Sequence, residues 1–131
     1  PLRYKDIQGI SKGGFLIGTY GMESELIPFV QAFRALPAVE FADVLPKKPL
    51  EKSETVKVRR YSDGKETWFY VVNTDAEFAD VTLRVPSGEL MDLASGRSRE
   101  VKKRFELRMK PYQLCSFRMA GDVSVEILDI R

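Results

Sequence analysis

From Val56 onward the apolar residues of this chain recur at every second position, and that alternation constrains the fold more than any other feature. Val56 and Val58 alternate with Lys57 and Arg59, and Val81, Leu83 and Val85 with Thr82 and Arg84. Phe105, Leu107 and Met109 alternate with Arg104, Glu106, Arg108 and Lys110. A period of two sends one set of side chains to each side of an extended strand. Turn chemistry closes the runs: Asp63-Gly64, Asn73-Thr74-Asp75, Pro86-Ser87-Gly88 and Ser95-Gly96. Trp68 to Val72 is apolar at every position, which predicts a central strand covered on both faces. With Leu90 to Leu93, Leu114 to Met119 and Val123 to Ile130, the pattern predicts about seven or eight strands at a spacing of roughly 8–12 residues. The expected fold is mainly β, an antiparallel β-sandwich, preceded by a short strand and one α-helix.

The preceding strand and helix lie in a segment of different character, residues 1–45. Leu26, Phe29, Val30, Phe33 and Leu36 fall on one helical stripe. Ser24 can cap its start, Pro28 is tolerable near the first turn, and Pro37 ends it. Ahead of it, Phe15 to Gly21 reads as a short strand closed by a glycine turn, half of a β–α unit. Residues 46–53, with Pro46, Pro49 and three lysines within Asp43 to Ser53, read as a connector. Residues 54–131 then form the sandwich.

The chain holds no histidine, which removes Ser-His-Asp and Cys-His catalysis and histidine-ligated metals. Cys115 is the only cysteine, so an internal disulfide and a multi-cysteine zinc site are excluded; it reads as a buried, inert thiol. Twenty-one basic and 19 acidic residues leave a net charge of +2, too weak a field to select a polyanion. The cluster Arg97, Arg99, Lys102, Lys103 and Arg104 is interrupted by glutamates and reads as a solvated hairpin that discourages edge pairing. A nucleic-acid partner is therefore not expected. Nor is a membrane partner, since no apolar run approaches the ~20 residues of a spanning helix. Asp63, Asp75, Asp80, Asp92 and Asp122 sit at turns without the spacing of a calcium loop, and Glu23 and Glu25 suit a helix start. Gly9 to Gly14 lacks the ending of a phosphate loop, so no cofactor is expected. The chain begins at Pro1 and reads as a piece of a longer one.

Exposed aromatics are the remaining candidates for binding. Trp68, Tyr61, Tyr70 and Tyr112 offer ring faces suited to the C–H surface of a pyranose. Trp68 lies in the most hydrophobic strand, where an indole ordinarily joins a core. Tyr61, beside the Asp63-Gly64 turn, is the better exposed of the two. Core, sugar platform and interdomain contact all remain open for Trp68.

The order of motifs resembles the C-terminal end of a bacterial glycoside hydrolase. "FVQAFRALPAVEFADV" (Phe29 to Val44) is similar to the last helix of a (β/α)8 catalytic barrel and the chain leaving it. "VKVRRYSDGKETWFYVVNTDAEFADVTLRV" is similar to the first strands of the appended β-sandwich, "GELMDLASGRS" to one of its hairpins, and "LRMKPYQLCSF" to its closing strand. The resemblance implies a non-catalytic accessory domain whose partner is the catalytic domain of the same parent chain, with polysaccharide as a possible second partner. It implies that the acid/base and nucleophile lie earlier in a parent that is periplasmic or secreted. It places Tyr20 near the barrel mouth, where it would line a sugar subsite. Leu26, Phe29, Val30 and Phe33 become packing contacts between helix and sandwich, worth on the order of 6–12 kcal/mol before entropy. The alternatives are a carbohydrate-binding module using Tyr61 and Trp68, or an immunoglobulin-like interaction domain.

Overall fold

The computed structural model describes residues 30–131, so the expected strand at 15–21 and the first turns of the expected helix fall outside the described residues. Helical geometry within them spans 30–34. Its last turn tightens where the Leu36 N–H donates to the Phe33 carbonyl at 3.2 Å, and Pro37 prevents continuation.

Nine strands follow: β1 (Ala42–Val44), β2 (Val56–Ser62), β3 (Glu66–Asn73), β4 (Ala79–Arg84), β5 (Gly88–Asp92), β6 (Arg97–Val101), β7 (Arg104–Met109), β8 (Leu114–Ala120) and β9 (Glu126–Ile130). They form a six-stranded sheet ordered β1-β2-β3-β8-β5-β6 and a three-stranded sheet ordered β7-β4-β9, antiparallel throughout. The molecule is an antiparallel β-sandwich, as the alternation predicts. The strand beyond the expected set is β1, three residues long and too short to show a period.

The β2–β3 hairpin forms at Asp63-Gly64. Gly64 takes φ +90, and the Asp63 carboxylate accepts the N–H groups of Glu66 and Lys65, each at 2.8 Å. Those donors hold its carboxyl below the ordinary aspartate range.

Between the sheets, Val56, Val58, Phe69, Val71, Leu90, Phe117 and Met119 meet Val81, Leu83, Phe105, Met109, Ile127 and Ile130. Phe69, Phe105 and Phe117 form an aromatic centre with centroids 5.1–6.2 Å apart. Ile127 and Ile130 are three residues apart, a spacing that strict alternation forbids. A bulge at Leu128 resolves it: Leu83 pairs with Ile127 and Thr82 with Asp129, leaving Leu128 as the extra residue. Cys115 packs against this core; burial, with the charge of Asp92 adding, pushes its thiol up to about 12.

Two crossings between sheets settle features the alternation leaves ambiguous. Arg104 to Met109 belongs to the small sheet and Leu114 to Ala120 to the large one, so the Lys110-Pro111-Tyr112 corner carries the chain from one layer to the other, with Tyr112 at φ +55. Asn73, fully buried, fixes this corner. Its Nδ2 donates to the carbonyls of Glu77 (2.8 Å) and Lys110 (3.0 Å), and its Oδ1 accepts the Asp75 N–H (3.1 Å). The basic segment at 97–104 is likewise a crossing and not the hairpin its sequence suggests. β6 pairs with β5, β7 pairs with β4, and Lys103 turns between them at φ +67.

Candidate functional site

The outer face of the six-stranded sheet is where the sandwich meets the segment that precedes it. Residues opposite one another in register share a face. Pairing therefore lines up Arg59, Tyr70 and Ser116 in one row, and Tyr61, Trp68 and Arg118 in the next. Lys57, Val72 and Leu114 form a third.

One end of this face is covered by the chain's own residues 32–41. Ala32, Leu36 and Phe41 bury themselves with Tyr70, Val72 and Leu114, and Phe33 and Val39 pack at the margin. Two polar ties fix the cover. Ser116 Oγ, fully buried, donates to the Ala32 carbonyl at 2.7 Å. Arg59, only 5% exposed, pairs with Asp43 at 2.6 Å and donates to the Phe41 carbonyl. A buried guanidinium is tolerated only when so paired. These contacts bind the stretch 32–43 to the sheet along two strands.

The other end carries the aromatics. Tyr61 and Trp68 sit opposite each other across β2 and β3 and stack with centroids 5.9 Å apart and ring planes at 29°. Phe41 touches the far side of this group, 6.0 Å from Tyr61 and 5.3 Å from Tyr70. Both Tyr61 and Trp68 are half-buried. Trp68 thus points away from the inter-sheet core. Arg118 flanks it, reaching Glu66 at 3.9 Å and the Met91 sulfur at 3.2 Å.

Of the residues singled out from sequence, the structure brings Tyr61, Trp68 and Phe33 onto this one face. Val30 begins the described part of the helix and is half-buried. Tyr20, Leu26 and Phe29, like Glu23 and Glu25, lie outside the described residues. Arg59 and Ser116 were not singled out. The available signal was indirect: a strand apolar on both faces requires a cover, and a cover must be tied at its backbone. Among the described residues no group of three His, Cys, Asp or Glu side chains could hold a metal ion.

No protein-family model and no curated protein matches the chain. Solved structures do. α-Galactosidase I from Mortierella vinacea superposes with a TM-score of 0.50 at 13% identity, over 82% of this chain and 27% of its own. A Bacillus halodurans C-125 protein described as an α-N-acetylgalactosaminidase matches with a TM-score of 0.50 at 12% identity, over 64% of this chain and 20% of its own. The AmyP protein in complex with maltotriose matches with a TM-score of 0.50 at 18% identity, over 66% and 17%. At such identities the likeness is one of fold. The chain spans about a fifth to a quarter of the length of the galactosidase-type proteins, so each has a large remainder with no counterpart here.

Proposed function

We propose that this chain is the accessory β-sandwich of a glycoside hydrolase, carried C-terminal to the catalytic domain, and that its work is to hold that domain's last helix. The observation that carries this reading is the seam on the outer face of the large sheet. Ala32, Leu36 and Phe41 are sunk against Tyr70, Val72 and Leu114, with the chain tied down by Ser116 and Arg59. A seam of this kind fixes the direction from which the preceding chain approaches. The fold shared with glycoside-processing proteins several times its length supports the same reading. The domain division at 45 and 54 belongs to it, as do the packing roles of Leu26, Phe29, Val30 and Phe33.

On this reading the chain hydrolyses nothing by itself. The chemistry resides in the parent's preceding barrel, with Tyr20 at its mouth. Deleting residues 1–41, which leaves β1 and Asp43 in place, tests the seam. The truncated chain should lose on the order of 5 kcal/mol of stability, since Leu36 and Phe41 are removed and their sheet partners Tyr70, Val72 and Leu114 become exposed. Thermal unfolding unchanged by the truncation would refute it.

The stacked, half-buried Tyr61–Trp68 pair favours a second reading, a carbohydrate-binding surface. Titration with a glycan panel separates the two, because saturable binding abolished by Tyr61→Ala belongs only to the second.

A further inference from the structure

We infer a second, independent ligand site: a shallow hollow on the outer face of the three-stranded sheet that takes a neutral saccharide. Its floor is Thr82, in the middle of the central strand β4. Thr82 is 9% exposed, and its hydroxyl bonds to no protein group among the described residues. Glu106 on β7 and Asp129 on β9 stand opposite it in register on either side. The two carboxylates are therefore about two strand spacings apart, ~10 Å, with the hydroxyl between them.

Each carboxylate around the hollow is held by an arginine: Asp129 by Arg131 at 2.6 Å, Asp80 by Arg108 at 3.3 Å, Glu106 by Arg104 at 3.8 Å. All of these line the same depression. Three carboxylates against three guanidiniums give no net field, so the hollow selects neither an anion nor a cation. What it offers is acceptors alternating with planar donors around one free hydroxyl, the complement of a ligand bearing several hydroxyl groups. Exposed ion pairs of this kind contribute little to stability, so redirecting them onto a ligand costs little. Phe78, 48% exposed, does not line the hollow but stands beside it, with the Arg108 guanidinium 4.9 Å from its ring centroid. An apolar surface beside alternating donors and acceptors suits a sugar ring, which has both.

The hollow lies on the opposite side of the sandwich from the Tyr61–Trp68 pair and the seam. Ligand bound here would leave the holding function untouched. The choice of a saccharide among polyhydroxylated ligands rests on the glycoside hydrolase reading.

The test is an amide-shift titration of the full 131-residue chain with maltotriose and, separately, with melibiose. One of these sugars should move the amides of 80–84, 104–108 and 129–131 saturably. Thr82→Val and Asp129→Asn should each weaken binding about fivefold, the worth of one lost hydrogen bond, while the remaining spectrum stays that of the folded chain. Shifts confined to the Tyr61–Trp68 face, no shift with either sugar, or unaltered affinity in both variants would overturn the site. The truncation experiment reads stability and not binding, so either idea can fail while the other stands.

Discussion

Replacing Asn73 should unfasten the corner that joins the two sheets, and the two informative replacements differ in how they respond to pH. The Asn73 side chain makes three hydrogen bonds, donating two to backbone carbonyls of different loops and accepting one. At ~1 kcal/mol net for each, Asn73→Ala should cost about 3 kcal/mol, lowering Tm by roughly 10 °C in a domain of this size. Asn73→Asp keeps the acceptor but turns a carboxylate toward the carbonyl oxygens of Glu77 and Lys110. Ionisation is then disfavoured in the folded state, so the introduced carboxyl has a folded pKa above its unfolded value of ~3.9. Below that value both states are protonated and ionisation carries no penalty. As pH rises toward the folded pKa, stability falls by about 1.4 kcal/mol per unit. Urea unfolding followed by the fluorescence of Trp68, the sole tryptophan, measures both variants between pH 4 and 7.5. Asn73→Ala supplies the background from every other carboxylate. The stability of Asn73→Asp relative to Asn73→Ala should fall steadily as pH rises. A pH-independent difference, or an Asn73→Asp chain as stable as the parent at neutral pH, would refute the claim that the two carbonyls depend on this amide.

Other perturbations follow from the same geometry. Leu36→Ala should cost about 2–4 kcal/mol by denaturant unfolding, because Leu36 is 3% exposed and its truncation leaves a void beside Tyr70, Val72 and Leu114. Ser116→Val should cost about 1–3 kcal/mol by removing the donor to the Ala32 carbonyl, and amide exchange should accelerate in 32–41 more than in β4 or β7. Cys115, with its thiol pushed up to about 12, should resist alkylation at pH 8 while the chain is folded and react once it is unfolded. Asp63 has a lowered folded pKa, so its contribution is present above the unfolded value of ~3.9 and disappears as pH falls below it. Asp63→Asn should therefore flatten the acid limb of the stability profile, measured as Tm against pH.

What the sequence discloses and what it hides divide along the range of the interactions involved. Period two and the Asp63-Gly64 turn are local, and β2, β3 and their hairpin stand where those signals put them. The double-sided apolarity of Trp68 to Val72 is local too, and β3 lies between β2 and β8 with a cover over part of its outer face. Partner choice is not local. Arg97–Val101 and Arg104–Met109 look like hairpin arms because two lysines separate them. Yet Val101 joins the core beside β5, while Phe105 must reach Phe69 and Phe117 from the other layer. Only the three-dimensional core decides between those options. The same holds for Arg59. In the alternation it is an outward-facing charge like Lys57, and nothing nearby in sequence marks it as the buried partner of Asp43, sixteen residues away.

The two outer faces of the sandwich differ in whether they need a cover. Around Thr82 the small sheet presents arginine–carboxylate pairs, which remain hydrated and need no cover. The large sheet presents Tyr70, Val72 and Leu114, all buried, and leaving them bare would expose an apolar strip across two central strands. A sheet carrying that strip is stable only with something laid over it. The cover it has consists of residues that enter from upstream, held at the Ala32 and Phe41 carbonyls. Apart from the Arg59–Asp43 pair the ties are to backbone atoms, so they specify where the chain runs more than which side chains it bears. Substitutions at exposed Gln31 or Ala35 should consequently be borne within about 0.5 kcal/mol, whereas a proline at Ala32 or Phe41 should displace the segment as a whole.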